Sequence, residues 1–209
     1  MAKIAVALEQ ALARRRLRGE PGRATPRVIA GGAGWSVADV LCTSGPQDRA
    51  FEEQHTHYSI AMIVAGTFQY RSPLGAGLMA PGSVMLGNPG MPYECGHEHA
   101  EGDRCVVFWY EPDYFDELTG VRFRVAHVPP LRDLAPLVVN AGAGAIRARD
   151  VAWEELAVQV AGRTAGLAAR QSSNHDALSE NAAARVTRVI RTIDERPDAD
   201  LTLAALARE

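Results

Sequence analysis

Between residue 27 and about residue 128, short β-branched and aromatic runs alternate with Gly/Pro turns. The runs are RVIA (27–30), WSVADVLC (35–42), YSIAMIVAGTFQYR (58–71), GSVMLGN (82–88), RCVVFWY (104–110) and VRFRVAHV (121–128). Turn formers separate them, as in SPLGAG, APG, NPGMP and AEGD. Successive side chains of a strand point to opposite faces, so such runs between turns spaced roughly 8–12 residues apart predict a β-sandwich or small barrel. Residues 60–64 are continuously apolar, which predicts a central strand buried on both faces.

Outside this region the period changes to that of helices. Ile4, Leu8, Ala11 and Leu12 predict a short amphipathic helix over residues 1–19 rather than a targeting peptide, with Arg14, Arg15, Arg16 and Arg18 on a solvated face. EPGRATP (20–26) reads as a linker and DYFDEL (113–118) as one helical turn. After Pro129 and Pro130, residues 131–139 predict one short helix and residues 153–169 a better one, with an apolar stripe of Trp153, Leu156, Val160 and Leu167. Gly162 and Gly166 each weaken that helix by about 1 kcal/mol relative to Ala. QSSNHD (171–176) reads as a linker with a new N-cap. Val186, Val189, Ile190 and Ile193 predict a further helix stopped by Pro197. Thr202 is placed as the next N-cap, and Leu203 and Leu206 open a second stripe. The predicted units are an N-terminal helix (1–22), a β-domain (23–130), a helical region (131–176) and a final helical segment (177–209). The chain ends at Glu209 within a helical pattern, so a longer natural protein is expected.

Composition narrows the class. The 209 residues are 47% hydrophobic and 22% charged, with a net charge of −3, ordinary values for a globular chain. No apolar run reaches the roughly 18–20 residues of a membrane span. Three cysteines, with no secretory apolar segment, point to a reducing cytoplasm. In residues 180–209, five arginines face six acidic residues, so this chain alone is not expected to bind DNA specifically.

The candidate chemistry lies in ECGHEHAEGDRC (94–105) and in His55-x-His57. Cys95, His97 and His99 are spaced by two, so an extended strand would put them on one face, and Cys105 returns after the turn. With His55 reaching across, they form a candidate ligand set for zinc or another divalent metal. The alternative is a polar hairpin with two buried thiols and surface histidines. A Cys95–Cys105 redox switch is a third option. Cys42 reads as a plain strand residue, and Glu52 and Glu53 as a solvated strand edge. His57, Tyr58, Phe68, Tyr70 and Trp109 are candidates to line an effector pocket, the other reading being sandwich core. The sequence contains no P-loop, G-x-G-x-x-G or G-x-S-x-G.

Residues 185–209, RVTRVIRTIDERPDADLTLAALARE, resemble the opening of an AraC-type helix-turn-helix domain. The stretch from His55 to Tyr110 resembles the cupin-like sensing domain that precedes the DNA-binding half in many AraC-type regulators. His55, the Gly66 turn, APGSVML (80–86), NPG (88–90) and the ECGHEH–GDRC hairpin carry this likeness. The resemblance implies an α+β fold: a cupin-like β-barrel or jelly-roll followed by α-helices, ending in an incomplete helix-turn-helix domain. It implies the effector-sensing and dimerisation portion of a regulator, not an enzyme. The effector would be a small molecule or a metal. The chain would form a homodimer, with residues 153–169 as the candidate contact, and only a longer chain would engage DNA. Thr202, Leu203 and Leu206 would support a recognition helix. Enzyme-type cupins follow H-x-H with a Glu four or five residues later, where this chain has Ala61 and Met62. Pro92 and Tyr93 stand where a second-motif His belongs. The alternative is a cupin-type enzyme with a metal held by His55, His57, His97 or His99.

Overall fold

The computed structural model describes residues 2–147, 149–171, 179–196, 199 and 201–208. The QSSNHD linker from Ser172 onward, the Pro197 stop and the Ile4 side chain lie outside them.

The strands in chain order are β1 (Ala24–Gly32), β2 (Trp35–Cys42), β3 (Phe51–Gln54), β4 (Tyr58–Gly66), β5 (Phe68–Ser72), β6 (Gly75–Met79), β7 (Val84–Gly87), β8 (Pro92–Gly96), β9 (Asp103–Tyr110) and β10 (His127–Val128). They form two antiparallel sheets, ordered β1-β2-β9-β4-β7-β10 and β3-β8-β5-β6. The inner faces meet over a core that includes Ala61, Ile63, Val107, Phe68, Tyr70 and Met79. This is a two-sheet β-sandwich.

Strand β4 occupies the middle of the larger sheet, and eight of its nine residues are buried, as its continuous apolar run predicts. Ile60, Met62 and Val64 face a second core, on the outer side of that sheet. Helices α2 (Pro112–Thr119), α3 (Ala135–Ala145) and α4 (Trp153–Arg170) cover much of this side, beside the N-terminal helix. Helix α4 buries Leu156, Val160 and four alanines on its own chain, and Tyr110 donates a 2.8 Å hydrogen bond to the Ala157 carbonyl. A buried ion pair crosses the same face: Arg104 donates to both oxygens of Asp39 at 2.7 and 2.8 Å, and Arg27 adds another bond at 2.8 Å. Burial alone would raise the Asp39 pKa, but the two guanidinium groups outweigh it and hold the carboxyl below its ordinary value.

The run 121–128 departs from the expected strand. Only His127 and Val128 pair with β7, while Phe123 turns into the helix-side core. The Asn88 side chain takes the place of a strand partner there. Its amide donates to the Phe123 carbonyl and its oxygen accepts from the Phe123 N–H, both at 3.0 Å.

Helix α1 (Ala2–Arg18) buries Leu8 and Leu12 against the sandwich. Arg15 is not on a solvated face: it donates to the Thr43 and Glu20 carbonyls and pairs with Asp48 at 2.6 Å. Helix α5 (Glu180–Glu195) is capped by Ser179 and buries Ala183 and Thr187, while Val186 and Ile193 stay exposed. Thr202 caps α6 (Leu203–Leu206) by accepting from the Ala205 N–H at 3.1 Å. Leu203 is 85% exposed and Leu206 half-buried. Among the described residues, no helix is long and apolar enough to cross a membrane.

Candidate metal centre

Strand register brings the first elements of the site together. Cys42 closes β2 and Asp103 opens β9, and the two are direct cross-strand partners. His97 leaves the end of β8 and enters the space between the sheets. One ligand-capable atom from each of Cys42, His97 and Asp103 lies within 4.8 Å of the others. The three residues are 3%, 5% and 4% exposed. His97 Nε2 lies 2.7 Å from Asp103 Oδ1, and the Cys105 thiol donates to Asp103 Oδ2 at 3.1 Å. Among the described residues, His97 Nδ1 is buried with no hydrogen bond of ordinary geometry, although the Cys42 thiol lies near the ring.

Burial disfavours the charged imidazolium of His97, but Asp103 and then Cys42 outweigh it and push the pKa up to about 10. Burial, reinforced by the Asp103 charge, pushes the Cys95 and Cys105 thiols well up. They are therefore protonated and poor nucleophiles at neutral pH. All three cysteines are free.

A second polar group lies elsewhere between the sheets. His55 Nδ1 is 3.2 Å from Ser59 Oγ, and Nε2 is 3.1 Å from the Tyr70 hydroxyl. Tyr70 donates its own proton to the Leu86 carbonyl at 2.9 Å, so it accepts from His55. This assigns the imidazole proton to Nε2 and makes Nδ1 the acceptor from Ser59. The ring stacks on Tyr93 at 4.1 Å, and Tyr93 donates to Glu53 at 2.5 Å. Burial pulls the His55 pKa down to about 4, so the ring is neutral.

The structure therefore distributes the sequence-predicted residues over several places. His97 sits in the cluster and Cys105 beside it, with Cys95 facing the same inter-sheet core. His55 belongs to the separate Ser59–Tyr70–Tyr93 group. His99 is turned away, because β8 ends at Gly96 and the strict alternation ends with it. It borders a cleft of about 780 Å³ between α1, α5 and the 99–101 turn, where its buried Nε2 has no partner among the described residues. Of the pocket candidates, Phe68, Tyr70 and Trp109 face the inter-sheet core. Tyr58 points the other way and stacks on Phe115 at 4.2 Å, while His57 pairs with Glu111 at 3.2 Å near the surface. Sequence reasoning passed over Cys42 and Asp103. The usable signal was the antiparallel pairing of WSVADVLC with DRCVVFWY, which sets their ends opposite each other.

No protein-family model matches the chain, and no curated protein matches it. Solved structures do match, and some of them are described as cupin proteins. A cupin superfamily protein from Desulfitobacterium hafniense is 9% identical, over 44% of this chain and 81% of that one, with a TM-score of 0.37. The EutQ protein of Clostridium difficile is 9% identical over 44% and 71%, also at 0.37. The DMSP lyase DddQ from Ruegeria pomeroyi is 17% identical over 43% and 48%, again at 0.37. The expectation that the chain is not an enzyme is corrected by these matches, which include a lyase. At this level the likenesses assign no activity.

Proposed function

We propose that the chain is the effector-sensing and dimerisation portion of an AraC-type transcription regulator. The observation that carries this reading is a short path from the sandwich interior to α5. Asp103 pairs across strands with Gly66, and the next residue, Thr67, donates a 3.3 Å hydrogen bond to Thr187 on α5. Helix α5 and the Thr202-capped α6 are the segment that resembles the start of a helix-turn-helix domain. An effector that binds one arrangement of the sandwich better than another would shift how α5 is held, and with it the DNA-binding half. The test uses the complete gene product in a selection from random duplex DNA. One enriched, salt-sensitive motif is expected, with Thr67→Val weakening the effector's influence more than DNA affinity itself. Failure to enrich any motif refutes the reading.

A second reading, a cupin-type metal-dependent enzyme, is favoured by the donor set of Cys42, His97 and Asp103 inside the sandwich. A divalent ion there would supply a Lewis acid or an activated water. Metal-dependent turnover of a small-molecule panel, lost in His97→Ala, would support it. Turnover that survives removal of the ion would sink it.

A further inference from the structure

We propose that Cys42, His97 and Asp103 form a buried site for a thiophilic divalent cation of the zinc class, with Cys105 as the fourth donor. With four protein ligands the ion would be structural or sensory, so the proposal goes with the regulator reading and not with a catalytic ion at these residues. Thiolate, imidazole and carboxylate are the donors zinc takes, and four protein ligands make a closed site. Each of the three is more than nine-tenths buried.

The observation that carries the proposal is how closely the donors converge. His97 Nε2 and Asp103 Oδ1 lie 2.7 Å apart, and one donor atom of Cys42 lies within 4.8 Å of a donor atom of each. An ion seated among them would take the place of the proton between His97 Nε2 and Asp103, with both groups as direct ligands. Asp103 also accepts from Cys105, which sets that thiol beside the same carboxylate.

The charges nearly cancel. A divalent ion with the Cys42 thiolate, the Asp103 carboxylate and a neutral imidazole sums to zero, and to −1 once Cys105 is ionised as the fourth donor. The ion takes the place of the proton on His97. The thiols of Cys95 and Cys105 and the Phe68 ring, 5.9 Å from His97, make a soft, dry surrounding. Calcium and magnesium prefer oxygen donors and are disfavoured there.

The test uses metal-free protein, zinc in competition with a chromophoric chelator, and cobalt(II) as the spectroscopic probe. One ion per chain and a thiolate-to-cobalt charge-transfer band are expected. Cys42→Ser should remove most of that band, and Asp103→Asn, which removes a ligand, should weaken zinc binding by more than roughly 10-fold. Cys95→Ser should keep both stoichiometry and band. Absence of stoichiometric binding overturns the proposal, as does a band that survives Cys42→Ser and vanishes in Cys95→Ser. If Cys42→Ser fails to fold, the wild-type chain decides. Zinc must slow alkylation of Cys42 and Cys105 in mild urea and leave Cys95 unchanged, and equal rates with and without zinc refute the site.

Discussion

Gly87 and His55 form a contact whose energetics can be worked from the structure. Gly87 ends β7 opposite Ser59, and a Cβ built on it would lie 2.4 Å from three atoms of the His55 ring. The ring has no easy retreat. Tyr93 stacks on it at 4.1 Å, and Ser59 and Tyr70 hold its two nitrogens. In Gly87→Ala the ring must shift, at an overpacking cost of about 1–3 kcal/mol. A ring nitrogen left unpaired by that shift adds about 1–3 kcal/mol. The expected destabilisation is therefore about 2–6 kcal/mol. His55→Ala removes the obstacle, at a cavity cost of about 2–5 kcal/mol of its own. In that background the extra methyl enters vacated space, and Gly87→Ala should cost less than about 0.5 kcal/mol. Urea unfolding of the four chains measures a coupling expected to be about 2 kcal/mol or more. Costs that add to within about 0.5 kcal/mol would show that the glycine is not there for the ring.

Three further outcomes are expected. The His55 pKa falls from 6.5 when unfolded to about 4 when folded, so its contribution to stability is present above pH 6.5 and lost as pH drops toward 4. This amounts to about 3 kcal/mol in all, and His127, also lowered by burial, acts in the same sense. His55→Gln should flatten the acid limb of a urea-midpoint profile, and an unchanged limb refutes the assignment. In the metal-free chain His97 behaves oppositely: its pKa rises to about 10, so stability is full below pH 6.5 and lost as pH climbs through 10, a limb that His97→Gln should remove. Arg104→Met leaves Asp39 with Arg27, whose side chain is 48% exposed, and should cost about 3–5 kcal/mol. The double variant with Asp39→Asn should recover part of that loss, and equal stability of the two variants would count against the ion pair.

The parts of the fold that alternate cleanly were legible in the sequence. WSVADVLC became β2 with matching ends, and the doubly apolar run of β4 became the middle strand of the larger sheet. Strands β3, β6 and β8 were harder to see. GAGLM and PYECG carry glycine or proline, and pairing holds them in the smaller sheet rather than propensity. Residues 121–128 showed strand composition, but the Asn88 side chain and the Phe123 packing site captured the backbone first. The site was half-visible. His97 and Cys105 could be picked by spacing, whereas Cys42 and Asp103 depend on a register that joins residues 61 positions apart. His99 was misplaced because the spacing-by-two argument holds only while the strand lasts, and β8 ends at Gly96.

Strand β1 forms an outer edge of the larger sheet, and most of its residues are exposed. Its open side is a poor template for another strand. Pro26 offers no N–H, and the pairing with β2 shifts register between Val28 and Ala30, so the spacing of outward donors is broken near its middle. Arg27 reaches across to Asp39 and the Ala145 carbonyl instead of lying flat along the edge. A copy of the chain approaching this border finds no regular ladder to extend. End-to-end fibre growth through β1 is thereby discouraged, and two copies that associate must recognise each other through side-chain surfaces rather than by continuing one sheet.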